Sequence, residues 1–358
     1  MKIFKRIIAG ILALIALIIL VVAGYVAYVA ISYSRIKDNL ALYVADGAGV
    51  NTAETGKDYT IVTQNFGFGA YTRDFTFFMD GGTGSRAKSK ESVNECIQKA
   101  YTKISGFNPD FVIMQEIDTK STRSHKVNQK EAFDGLFNGY SSVYAVNYHS
   151  AYLMWPLFNP HGKSNSGIST YSRFGIESAV RKSLPISKGV SKFLDLDRCY
   201  SVSYVPCENG KKLVIFNVHT SAYGGSDKIR QAQMTKLFSD MLAVYEDGNY
   251  VVCGGDFNHD FTGTSTKDLN GGENVDFGWA QPFPDELIPE HFTKAISYSG
   301  GLNPTCRNCD VPYKEGNFTI IVDGFIVSDN VSITEVKNVV TGFEYSDHNP
   351  VVMKFSLK

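Results

Sequence analysis

Several segments of this chain end an apolar run in a side chain that can bind a metal or carry a proton. Thr60-Ile61-Val62-Thr63-Gln64-Asn65 closes on an amide, and Phe111-Val112-Ile113-Met114-Gln115-Glu116 on a carboxylate. Leu213-Val214-Ile215-Phe216-Asn217-Val218-His219 closes on an imidazole. Val251-Val252-Cys253-Gly254-Gly255-Asp256-Phe257-Asn258 runs into two glycines, a carboxylate and an amide, and Ser346-Asp347-His348-Asn349-Pro350 precedes the last apolar run. Glu116 and Asp347 are hard oxygen donors suited to Mg²⁺ or Mn²⁺, which keep waters and bind through few carboxylates. His348 can act as general base on a water, and a carboxylate partner would fix its tautomer and raise its basicity. Asp323 interrupts the apolar run Ile321-Val322-Asp323-Gly324-Phe325; a buried Asp is costly unless paired, which makes it the candidate partner. His219 and Asn258 can donate to phosphate oxygens as charge builds in a transition state. Each residue alone also suits a turn or a strand end. Metal-assisted hydrolysis of a phosphoester is the reaction that uses all of them at once. Arg198, Arg230 and Arg307 are candidate phosphate clamps for the same reaction.

Such residues need a rigid frame. β-rich apolar runs predict strands over Tyr59–Thr63, Phe111–Met114, Val143–Val146, Cys199–Val205, Leu213–Val218, Tyr250–Cys253, Ile320–Val327 and Val351–Phe355. Helical spacing marks Ser89–Ile104 and Lys228–Tyr245, the latter with Ile229, Ala232, Leu237, Met241 and Val244 on its apolar face. Strands with interspersed helices argue an α/β or α+β fold with mixed sheets. No composition break or repeat divides 59–358, which reads as one catalytic domain.

Ahead of it, Ile7–Ile31 is an uncharged apolar run of 25 residues, preceded by Lys2, Lys5 and Arg6 and followed by Arg35 and Lys37. It is long enough to cross a hydrocarbon core of about 30 Å. Residues 1–6 are therefore assigned to the cytoplasm, 7–31 to a single-pass transmembrane anchor, and 32–58 to a tether, with the bulk of the chain extracytoplasmic. A secretory signal cleaved near Val21-Val22-Ala23 is the competing reading. Hydrophobic residues make up 44 % of the 358 and aromatics 13 %, enough for a substantial core. Removing the three N-terminal cations from the net charge of −1 leaves −4, which argues against a broad basic nucleic-acid surface. The six cysteines offer one close pair, Cys306 and Cys309, suited to a local disulfide or two free thiols but not to a zinc site. The aromatic and apolar segment Tyr148–Phe158 reads either as a loop packed on itself or as a lip that touches lipid or stacks on bases.

Taken in order, Thr63-Gln64-Asn65-Phe66, Gln115-Glu116, Asn217-Val218-His219, Gly255-Asp256-Phe257-Asn258, Ile321-Val322-Asp323 and Ser346-Asp347-His348 resemble the endonuclease/exonuclease/phosphatase superfamily. That superfamily has the deoxyribonuclease-I-like fold and includes neutral sphingomyelinases and inositol-polyphosphate 5-phosphatases. Ser166-Gly167-Ile168-Ser169-Thr170-Tyr171-Ser172-Arg173 resembles a strand found mid-domain in many members. The resemblance covers about Tyr59 to Leu357. It implies a four-layer α/β sandwich, two mixed sheets face to face with helices outside, and a Mg²⁺-dependent site at one rim. By motif it implies Glu116 as principal metal ligand with Asn65 and Asp347 nearby, and His348 as general base oriented by Asp323. Asp256 would position or activate the attacking water, and Asn258 and His219 would stabilise the pentacovalent phosphate. The leading expectation is a membrane-tethered phosphodiesterase acting on nucleic acid or a phospholipid head group. A phosphomonoesterase, or a catalytically silent binding module on the same fold, are the alternatives.

Overall fold

The computed structural model describes residues 2–49, 51–189, 192, 196–222, 227–272 and 279–358. Two seven-stranded sheets pack face to face. One runs in the order Leu40–Ala41, Ser178–Ser183, Cys199–Pro206, Lys212–His219, Tyr250–Asp256, Asp323–Ser328, Phe292–Lys294. The other runs Val331–Asn338, Val351–Leu357, Asp58–Asn65, Phe111–Asp118, Asn165–Ser172, Ser141–His149, Val44–Ala45. Strand residues alternate between two buried faces, which is why the runs read as continuously apolar. Phe111 and Ile113 enter the core between the sheets, whereas Val112 and Met114 pack with Val93, Ile97 and Ala100 of helix Lys90–Ser105. Ile215 and Val252 likewise enter the inter-sheet core, whereas Val214, Phe216 and Val251 pack with Met234, Leu237 and Met241 of helix Asp227–Glu246. The result is the expected helix–sheet–sheet–helix sandwich. Each fully buried side chain of this size contributes about 1.5–3 kcal/mol.

Among the described residues, two pairs within the two large sheets are parallel: Asp58–Asn65 with Phe111–Asp118, and Lys212–His219 with Tyr250–Asp256. Parallel neighbours need a long crossover, and the two helices supply it. Lys90–Ser105 connects the first pair, and its cap is Ser89, whose Oγ accepts from the Ser92 amide at 3.1 Å. Asp227–Glu246 connects the second. Both pairs therefore end at one rim, with Asn65 beside Gln115 and His219 beside Asp256 in register. The antiparallel neighbour Asp323–Ser328 adds Asp323 opposite Asp256.

Three expectations need correction. Residues 32–58 are not a simple tether, because Leu40–Ala41 and Val44–Ala45 add an edge strand to each sheet and Ala53 is buried in the core. The run Ile320–Val327 is not one strand: Thr319–Ile320 pairs with Cys306–Arg307, and the large sheet begins at Asp323. The strand over Tyr250–Cys253 continues through both glycines to Asp256. Among the described residues one helix, Lys2–Ser32, is long and apolar enough to cross a membrane, a property it would share with a signal sequence; Val29 is its only buried residue.

Candidate active site

Glu116 sits on a break in its strand. The register of Phe111–Asp118 against Asn165–Ser172 shifts between Met114 and Ile117, and Glu116 takes φ +57°, unusual for a residue with a side chain. The bulge aims the carboxylate into a pocket, at the modest backbone cost typical of functional positions. Gly255 takes φ +141°, and a Cβ there would lie 2.0 Å from the Val218 carbonyl oxygen, so only glycine lets the parallel strands carrying His219 and Asp256 run side by side.

Beneath the rim a buried polar bridge joins the sheets. Gln115 Nε2 donates to Asn217 Oδ1 at 2.8 Å, and Asn217 Nδ2 donates to the Ser169 and Met114 carbonyls at 2.9 and 3.2 Å. Above it, Asp256 is the hub. Asn65 Nδ2 donates to Asp256 Oδ2 at 2.9 Å, and the Asn258 amide donates to Asp256 Oδ1 at 2.9 Å. His219 Nε2 lies 3.5 Å from Asp256 Oδ2 and 4.0 Å from Glu116 Oε1. His348 Nε2 lies 3.9 Å from Asp256 Oδ2, and its Nδ1 lies 2.8 Å from Asp323 Oδ2. Asn258 Nδ2 donates to the Thr220 carbonyl at 2.9 Å, which leaves its second proton for a ligand.

The two histidines are driven apart. Burial, helped by Arg198 and His348, holds His219 well below the usual imidazole value. Burial also opposes protonation of His348, but Asp323 and Cys306 outweigh it and hold His348 well above that value. Burial pushes Asp347 up to about 7; His348 opposes the shift and Glu116 adds to it. Burial raises Asp256 as well. Carboxylates this crowded call for a cation.

A cavity of about 330 Å³ is lined by Glu116, His219, Asp256, Asn258, Asp347 and His348. Asn65 and Asp323 sit behind this lining, on Asp256 and His348 respectively. Arg198 and Arg307 reach the cavity, and Arg230 does not line it. Arg198 is buried, with Nε and Nη1 lacking a hydrogen-bond partner among the described residues. Arg307 instead staples the neighbouring loop through the Thr72, Phe75 and Asn308 carbonyls. Arg230 donates to the Ala222 carbonyl at 3.4 Å.

Sequence reasoning missed Arg123, which makes a two-pronged ion pair with Asp118 at 2.9 and 3.1 Å and lies 3.9 Å over the Phe68 ring. It also missed Phe68 and His161 in the cavity wall. Arg123 and His161 come from loops, and Phe68 from the short 3-10 turn Gly67–Gly69, with no apolar run to mark any of them. Cys306 and Cys309 are both free thiols.

A divalent cation fits Glu116 and Asp347, since both are oxygen donors facing the cavity, and the Arg307 charge near Asp347 does not prevent burial from raising that carboxyl. The group Asp256, Asp323 and His348 also has ligand atoms within 4.8 Å of one another. A metal there would have to displace the 2.8 Å contact between His348 and Asp323, so that trio is better suited to moving a proton.

The family model described as endonuclease/exonuclease/phosphatase family matches residues 79–348. The chain belongs to that family. Solved structures agree on the fold. An endonuclease/exonuclease/phosphatase from Beutenbergia cavernae is 15 % identical with a TM-score of 0.57, covering 84 % of this chain and 72 % of that one. The 2',3'-cyclic phosphatase ANGEL2, in complex with adenosine-2',3'-vanadate, is 14 % identical with a TM-score of 0.55, covering 90 % and 99 %. A mannosyl-6-phosphatase from Bacteroides thetaiotaomicron is 17 % identical with a TM-score of 0.54, covering 84 % and 100 %. No curated protein matches the sequence. Membership in this family makes the chain a hydrolase of the phosphoesterase type.

Proposed function

We propose that this family member is a membrane-anchored, divalent-metal-dependent phosphodiesterase. The observation that carries the reading is the His348–Asp323 pair facing Asp256 across a cavity that also holds Glu116 and Asp347. Glu116 and Asp347, with Asn65 nearby, would hold Mg²⁺ or Mn²⁺, which would supply Lewis-acid stabilisation of the phosphate charge. His348 takes the proton of the attacking water at Nε2, and Asp323 at Nδ1 fixes the tautomer that leaves Nε2 free. Asp256 accepts a hydrogen bond from the same water and orients it. His219, kept neutral by burial, and the unused Asn258 amide proton donate to the phosphoryl oxygens as charge develops. A second reading, hydrolysis of a phosphomonoester, is favoured by Arg198, whose unpartnered guanidinium nitrogens suit a phosphate dianion.

The test uses the full chain in detergent micelles, assayed against DNA, RNA, sphingomyelin, phosphoinositides and a sugar phosphate with Mg²⁺ or EDTA. Hydrolysis of at least one substrate is expected, reversible on chelation, and reduced about 10²–10⁴-fold in His348→Ala and Glu116→Ala. Metal-independent turnover, or full activity in both variants, overturns the mechanism.

A further inference from the structure

The loop between strands Ser141–His149 and Asn165–Ser172 exposes Tyr152, Met154, Trp155, Leu157 and Phe158 together. Phe158 is fully exposed and Leu157 is 68 % exposed. Solitary exposed apolar residues are ordinary, but a run of five on one loop marks a contact surface.

What sits beside the loop identifies its partner. Tyr25 and Tyr28, near the end of helix Lys2–Ser32, hold the loop by its backbone. The Tyr25 hydroxyl donates to the Tyr152 carbonyl at 3.2 Å and accepts from the Met154 amide at 3.1 Å, and the Tyr28 hydroxyl accepts from the Tyr152 amide at 3.0 Å. A hydrocarbon core of about 30 Å takes about 20 residues of helix, so a span starting at Ile7 leaves the core near Val26. Tyr25 and Tyr28 then lie at the boundary of lipid and water, where tyrosine and tryptophan concentrate. The chain after the helix is clamped to the domain: Arg35 Nη2 donates to the Leu184 carbonyl at 2.6 Å, and the Ile36 amide donates to Asp197 Oδ2 at 2.6 Å. The domain is therefore held against the bilayer.

We infer that the loop Tyr152–Phe158 is a second membrane contact, inserting Trp155, Leu157 and Phe158 into the head-group region beside the anchor helix. The inference rests on the anchoring proposed above and deepens it. Tyr148 and His161, which bracket the loop, both line the catalytic cavity. An inserted loop thus turns the cavity mouth toward the bilayer, which favours a phosphoester borne by a membrane lipid.

The chain has two tryptophans, Trp155 and Trp279. Full-length Trp279→Phe protein is reconstituted into phosphatidylcholine vesicles with or without bromines on the upper acyl chain. Trp155 emission is expected to be blue-shifted and quenched by the brominated lipid. In Leu157→Glu/Phe158→Glu, quenching is lost, because each buried apolar side chain shifts the inserted fraction by roughly tenfold or more. Hydrolysis of a water-soluble phosphoester by that double variant is expected to be unchanged, while hydrolysis of a vesicle-borne one falls about tenfold. Water-like emission without quenching overturns the inference, as does blue-shifted emission that bromine leaves untouched, the signature of a second copy covering the loop. Quenching together with no hydrolysis by the unsubstituted protein, in which Trp279 keeps its place in the cavity wall, overturns the catalytic reading instead and leaves the membrane contact standing.

Discussion

His348 and His219 share one cavity with opposite shifts, and the mechanism proposed above uses that separation, taking the one with the raised value as base and the one kept neutral as donor. A base must be deprotonated to act. Because Asp323 raises His348, activity should be lost as pH falls through a value above the ordinary imidazole figure of about 6.5. Asp323→Asn removes the raising charge, so the acid limb of the pH–rate profile should move to lower pH while the maximum rate drops about 10²–10⁴-fold. An unmoved limb would contradict the assignment. The residues of this dyad were legible because His348 precedes an apolar run and Asp323 interrupts one. Arg123 was not, since its partner Asp118 and the Phe68 ring become neighbours only after folding. The Gln115–Asn217 bridge was equally hidden: both residues stood inside recognisable segments, but nothing local says that two amides meet across sheets.

At the scale of elements, the parallel pair Lys212–His219 and Tyr250–Asp256 depends on one glycine, Gly255. Gly255→Ala would push a methyl group against the Val218 carbonyl in a backbone conformation that alanine resists. It should destabilise the protein by about 3 kcal/mol, read as a lowered thermal midpoint, and reduce activity by displacing Asp256. Most central strands and both crossover helices were visible in the sequence because they are buried on two faces or one stripe, whereas the serine-rich central strand Asn165–Ser172 was marked only by the family resemblance. Several elements at or next to the sheet edges were not visible. Ser178–Ser183 and Val331–Asn338 alternate in burial and carry polar residues such as Arg181, Lys182 and Glu335, so they lack an apolar run. The two-residue strands Leu40–Ala41 and Val44–Ala45 exist only because distant strands offer free edges, which a reading of 32–58 as a tether could not anticipate.

Over the whole molecule, the two large sheets repeat one plan. Each centres on a parallel pair joined through a helix and flanks it with antiparallel strands, and each parallel pair delivers two residues to the rim, Asn65 and Glu116 from one and His219 and Asp256 from the other, with Asp323 added by the antiparallel neighbour of the second. Neither sheet holds a complete site. The pocket is accordingly a joint property of the two, assembled only while their facing cores are in contact. Catalytic turnover then becomes a reporter of global folding. In a urea titration of the full chain, loss of hydrolysis and loss of far-ultraviolet circular dichroism from the sheets should coincide, with no window in which one half-structured sheet still works. An active species persisting after half the sheet signal has gone would show that the site survives on a single layer.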